Sequence, residues 1–127
     1  EYRQRFAAYY LNAAAKWDRE VVIVRKQNDL PLNMSVLDHE KARESKASKN
    51  VWMTDDTIST GSWCYTNSLQ IKPTRKVVHA LVDTVAKNGV VLLNISPLAS
   101  GKIPADQRKV LEELGEWLEA HFSPFKV

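Results

Sequence analysis

The sequence predicts an α/β fold, a parallel sheet with helices outside it, on three observations. Two apolar runs, Val21-Val22-Ile23-Val24 and Val90-Val91-Leu92-Leu93-Asn94-Ile95, lack polar alternation and read as parallel strands buried on both faces. Three other stretches carry apolar residues at three- and four-residue spacing and read as amphipathic helices. The two kinds alternate along the chain, the order that builds a parallel sheet through helical crossovers. Right-handed crossovers then bring the C-terminal ends of the strands to one rim.

Each element has its own grounds. Residues 1–19 place Phe6, Tyr9, Tyr10, Ala13, Ala14 and Trp17 on one stripe, which predicts a helix packed on the sheet with Trp17 in the core. The first strand covers residues 20–25 and stops at the turn-forming Asn28-Asp29-Leu30-Pro31. A short extended run, Asn33 to Leu37, leads into Asp38-His39-Glu40, and the polar segment 41–50 is a loop. Residues 52–65 set Trp52, Trp63 and Tyr65 among Thr54, Asp55, Asp56, Ser59 and Gly61, which is neither a helix stripe nor a clean strand. That mixture reads as an irregular wall lining a polar cavity, or as a packed surface loop. Pro73 opens a helix buried through Val77, Val78, Leu81, Val82 and Val85, and Asn88-Gly89 supplies its left-handed stop. The strand 90–95 ends at Ser96-Pro97, and Pro104 starts a last helix with the stripe Val110, Leu111, Leu114, Trp117, Leu118 and Phe122.

Composition narrows the function. The 127 residues are 44% hydrophobic and 26% charged, values of a single soluble globular domain. A net charge of +3 is too small to argue for nucleic acid, and no stretch approaches the roughly 18 to 20 apolar residues of a membrane span. Lys41, Arg43, Lys46 and Lys49 read as a solvated loop face. The one cysteine, Cys64, excludes an internal disulfide and reads as a small packed residue. His79 and His121 lie within helices as surface or packing residues; no histidine pair has metal-ligand spacing, and no metal or cofactor is expected. The start, Glu1-Tyr2-Arg3-Gln4-Arg5, is not a secretory signal, and a chain beginning inside a domain would have lost one. Localisation is open, a periplasmic or secreted full-length protein being one expectation.

Chemistry is expected on the rim, where Lys26, Asp38 to Glu40, and Asn94 to Ser96 follow the strands. A carboxylate at a strand end beside an aromatic polar wall is the arrangement of sugar hydrolysis, in which carboxylates handle the leaving oxygen and the anomeric carbon. By itself Glu40 also reads as a solvated loop glutamate near Lys41 and Arg43.

The stretch from Val51-Trp52-Met53-Thr54-Asp55-Asp56 through Ser62-Trp63-Cys64-Tyr65 resembles the segment of family 29 α-L-fucosidases that opens on a Trp and closes on Ser-Trp-Gly-Tyr. Val90-Val91-Leu92-Leu93-Asn94-Ile95-Ser96-Pro97 and Ser100-Gly101-Lys102-Ile103-Pro104 resemble the family's Leu-Leu-Asn-Ile-Gly-Pro and Asp-Gly-x-Ile-Pro. Gly115-Glu116-Trp117-Leu118 is similar to its closing helix, so the likeness covers residues 51–121 in order. Upstream, Asp38-His39-Glu40-Lys41-Ala42-Arg43 is similar to a bacterial subgroup's Asp-x-Glu-Arg-Gly-Arg, with Lys41-Ala42 and Cys64 as departures.

The resemblance implies that residues 1–127 are the C-terminal part of a (β/α)8 barrel with parallel strands and outer helices. It implies a glycosidase that removes terminal α-L-fucose from glycans by a retaining double displacement. Glu40 is the implied acid/base, and Lys26, Trp52, Asp55 and Trp63 the implied substrate-binding residues. The family's nucleophile, an Asp in a Trp-x-Asp setting after an earlier strand, has no counterpart in these residues. The chain alone is therefore expected to be inactive, with the remainder of the barrel or self-association completing it. The alternative is a non-catalytic carbohydrate-binding or structural remnant. A fucosylated glycan or fucoside is the expected partner, with neither nucleic acid nor membrane.

Overall fold

The computed structural model describes residues 1–121, so the expected place of Phe122 on the last helix lies outside the described residues. Helix α1 (Tyr2–Lys16) ends with Asp18 at φ +52°; Arg19 N–H bonds Ala14 O and Asp18 N–H bonds Ala15 O, the paired bonds of a left-handed helix stop. Strand β1 (Val24–Arg25) follows, then a 3₁₀ turn (Leu32–Met34) and β2 (Val36–Asp38). Strand β3 (Trp52–Thr57) leads into a small antiparallel pair, β4 (Ser59–Thr60) and β5 (Gln70–Ile71). Helix α2 (Thr74–Ala86), strand β6 (Gly89–Asn94) and helix α3 (Ala105–His121) complete the order.

The main sheet runs β1-β2-β3-β6 and is parallel throughout. Six residue pairs, from Trp52 opposite Gly89 to Thr57 opposite Asn94, make β3 with β6 its longest ladder. Helices α2 and α3 cover one face through Val77, Val78, Val110 and Leu114, which cluster with Ile58 and receive Leu81, Leu93, Trp117 and Leu118 around them. No described helix is long and apolar enough to cross a membrane.

The structure corrects several expectations. Residues 52–57 form a regular strand, central in the sheet, because ladders to β2 and β6 hold its backbone whatever its side chains are. The two apolar runs are not buried on both faces: Val22, Val24, Val90 and Leu92 are exposed, since β1 and β6 are the sheet's edges and helices cover only one side. The first run pairs only over its last residues, and part of the second extended run is the 3₁₀ turn. On α1 the buried residues are Ala7 and Ala14, whereas Phe6, Tyr9 and Trp17 are exposed, so Trp17 is not core. Val82 and Val85 of α2 are exposed, and the fully buried Thr84 takes that face. Cys64 is exposed, not packed. The Asn88 stop is as expected, with φ +67°.

Candidate active site

Alternation decides which side chains reach the open face of the sheet. In a strand, residues two apart share a face, and in a parallel ladder paired residues point the same way. Val24 and Lys26 share a face, as do Asp38 and Glu40, and Asp55 pairs with Leu92. The β2 to β3 pairing continues past Asp38 through His39 N–H to Met53 O and Lys41 N–H to Asp55 O, each 2.9 Å, with Lys41 at φ +50°. Glu40 is thus carried onto the rim between two backbone hydrogen bonds, on an otherwise irregular turn.

At that rim three carboxylates meet one ammonium. Lys26 Nζ lies 2.9 Å from Asp55 Oδ2, 3.0 Å from Asp38 Oδ2 and 3.1 Å from Glu40 Oε2. An ammonium has three donors, so these three acceptors saturate it. Asp38 is buried, with its side chain 2% exposed, and its Oδ1 accepts the Asp55 backbone N–H at 3.0 Å, which locks β2 to β3 beneath the cluster. Glu40 is the most open of the three, with its side chain 55% exposed. Asp55 Oδ1 is buried and has no donor, an acceptor left available inside the cluster.

Asp55 does most to hold the Lys26 ammonium above the ordinary lysine value, opposed in part by desolvation and helped by Asp38 and Glu40. The attraction is fully present below the ordinary lysine value and is lost only as pH rises through the higher value in the fold. Around neutrality Lys26 is a fixed cation and no proton carrier. One ammonium shared by three carboxyl groups fixes a positive charge at the centre of the acid cluster.

The aromatic side of the site is built from β6 and the loop after β4. Trp63 is half-buried, and its carbonyl accepts hydrogen bonds from Asn94 Nδ2 at 2.9 Å and Ser96 Oγ at 3.0 Å. Ser96 is itself fixed by Gln107 of α3, a completely buried side chain that accepts from Ser96 N–H and donates to Ser96 O, both at 2.8 Å. Lys41 closes the circuit: its Nζ donates to Gly61 O at 2.6 Å and stands 4.4 Å from the centre of the Trp63 ring. Lys41 and Arg43 are therefore not simply solvated, since Arg43 pairs with Asp83 of α2 at 3.2 Å.

Lys26, Glu40 and Asp55 thus come together and Trp63 lies on the adjoining loop, whereas Trp52 stands apart. Trp52 begins β3, at the end of the sheet opposite the rim; it is buried against Gly89, its indole N–H bonds Lys87 O at 2.9 Å, and His39 meets it edge-on. The structure therefore does not bring Trp52, an expected substrate contact, to the Lys26 cluster. Sequence reasoning put Asp38 on the rim without a role of its own, and read Lys41 only as a solvated loop residue. The spacing of Asp38 and Glu40 contained a signal for the first, because residues two apart on a strand share a face. Among the described residues no group of histidine, cysteine and acidic side chains is arranged to hold a metal ion.

The family model for alpha-L-fucosidase matches residues 2–122. The chain belongs to the α-L-fucosidase family. Among solved structures, this fucosidase-family chain is similar to an alpha-L-fucosidase at 25% identity and a TM-score of 0.79, over 94% of this chain and 26% of that one. It is also similar to alpha-L-fucosidase isoenzyme 1 from Paenibacillus thiaminolyticus, at 30% identity and a TM-score of 0.64, over 69% of this chain and 22% of that one. The alpha-fucosidase of Thermotoga maritima, solved in complex with fucose, is 26% identical with a TM-score of 0.56, over 69% of this chain and 22% of its own. No curated protein matches. The chain spans about a quarter of the length of these structures. The parallel sheet and its helices have the α/β architecture of part of a TIM-type (β/α)8 barrel, as the sequence predicted.

Proposed function

We propose that residues 1–127 form the C-terminal part of a catalytic barrel and supply the acid/base side of a retaining α-L-fucosidase site, which removes terminal α-L-fucose from glycans. The observation that carries this reading is the Lys26 cluster, with one exposed carboxylate, Glu40, and one unpaired acceptor, Asp55 Oδ1, on the rim beside Trp63.

In the first step Glu40 protonates the glycosidic oxygen as its bond to the anomeric carbon breaks, while a carboxylate outside these residues attacks that carbon. In the second, Glu40 takes a proton from water as the water displaces that carboxylate. Asp55 meets the sugar's hydroxyl side from within the cluster, its buried Oδ1 becoming an acceptor when Glu40 swings outward, and Trp63 presents an apolar face to the sugar. Lys26 reaches a sugar hydroxyl only by exchanging a carboxylate, and Glu40 is the one with room to leave; otherwise Lys26 acts by holding the acids in place.

The test is Glu40→Gln in the full-length protein. Activity is expected to fall roughly 10²- to 10⁴-fold on fucosides with poor leaving groups, with aryl fucosides largely spared in their first step and rescued by azide. Unchanged kinetics would make Glu40 a solvated loop residue. Fucoside binding without turnover by the unmutated full-length protein favours a carbohydrate-binding remnant. Residues 1–127 alone are expected to hydrolyse no fucoside, and turnover abolished by Asp55→Asn would overturn that.

A further inference from the structure

On the face of β1 opposite Lys26, Arg25 is buried, at 5% exposure. Its guanidinium bonds the carbonyl of Gln27, but Nε is buried with no acceptor, and among the described residues no carboxylate lies within ion-pair distance. An arginine keeps its charge at every accessible pH, so it cannot escape burial by neutralising. Buried charges are ordinarily paired, and a lone one is strongly unfavourable.

The same side chain lines a cavity of about 420 Å³ with Asn28, Asp29, Leu30, Pro31 and Leu32. Asp29, the only acid in that lining, faces Arg3 of α1 at 3.6 Å. The Asn28 amide adds a polar group to the wall, and Leu30 and Pro31 add apolar surface. A guanidinium whose charge meets no carboxylate, and whose Nε donor is unpaired, calls for an oxyanion partner at such a cavity.

We propose that the Arg25 cavity receives an oxyanion, a sulfate, phosphate or carboxylate group, at a position distinct from the Lys26 cluster. The source is a free ion or ligand group, or a carboxylate of polypeptide outside residues 1–127. Thermal unfolding of the full-length protein, titrated with sodium sulfate against sodium chloride at constant ionic strength, tests the proposal and separates the sources. For a free oxyanion the midpoint rises saturably, by about 3 to 6 °C, and Arg25→Met abolishes the saturable part while keeping the general salt effect. For a protein carboxylate, sulfate has no saturable effect and Arg25→Met lowers the midpoint at every salt composition. The proposal is overturned if Arg25→Met matches or exceeds the unmutated protein and both respond to sulfate alike. Should Arg25→Met fail to fold, Arg25→Lys keeps the charge without the fork, and a sulfate midpoint shifted at least about tenfold replaces the first reading. Sulfate affinity equal for lysine and arginine would then count against the site.

Discussion

Gly89 owes its identity to Trp52. A methyl group on Gly89 would stand 2.6 Å from two atoms of the indole and 2.7 Å from Thr84 Cγ2, closer than carbon atoms approach. The indole is also tethered through its N–H to Lys87 O, so it cannot easily give way. Gly89→Ala is expected to destabilise the fold by about 1 to 3 kcal/mol, as overpacking does, measured as a lower denaturant midpoint with little change in slope. Chemistry at the rim is comparably local. The Lys26 ammonium works by its three contacts, and the carboxylates differ in what remains open to them: Asp38 is enclosed, Asp55 keeps one oxygen free, and Glu40 faces solvent.

Among the elements, α3 reaches the site through one side chain. Gln107 pairs with Ser96 as a neighbouring peptide would, and Ser96 holds the Trp63 carbonyl. Gln107→Glu would set a carboxylate oxygen against Ser96 O in a fully buried place; a loss of about 2 to 4 kcal/mol is expected by denaturant unfolding. On the opposite side, the acid-bearing loop is fastened to α2 through Asp83. Lys87 first, and Arg43 after it, hold the Asp83 carboxyl below its ordinary value. That tie is present above the ordinary aspartate value and is lost as pH falls through the lower value in the fold. Sequence made α2 and α3 legible because their apolar period follows burial, and β6 legible as an unbroken apolar run, although Val90 and Leu92 in it are exposed. It concealed β3, the strand the others are built on, because Asp55 turns to the Lys26 cluster and Asp56 turns to Lys72 at 2.9 Å. Both acids break the apolar pattern for reasons that lie in partners distant along the chain. The α1 stripe misled in the opposite sense: its aromatics are periodic, yet most are exposed and small alanines make the buried contact.

At the largest scale, the governing fact is that among the described residues only one face of the sheet is covered. Val24, Val90 and Leu92 lie exposed on the same face as Lys26 and Asp55, and among the described residues β1 and β6 each have an unpaired edge. Edges and apolar faces of this kind favour pairing with further strands. Residues 1–127 produced alone are therefore expected to associate, with a sedimentation coefficient that rises with concentration. A monomer at all concentrations with cooperative unfolding would show that the sheet is sufficient as it stands. Of the residues gathered at the candidate site, Glu40, Lys26, Asp55 and Trp63 were named through the family's motifs, whereas the Asp38 anchor and the Lys41 bridge depend on register and were not.

Burial of Trp52 has an optical consequence. Of the four tryptophans, Trp17 is exposed, Trp63 and Trp117 are partly covered, and Trp52 alone is enclosed, with its N–H bound to a carbonyl. Its fluorescence is therefore shielded from dissolved quenchers for as long as β3, β6 and the end of α2 stay together. Trp63, under the Lys41 ammonium, reports instead on the rim. One chromophore set thus carries two signals, one for the integrity of the sheet and one for the state of the rim, and a quencher can tell them apart without a label.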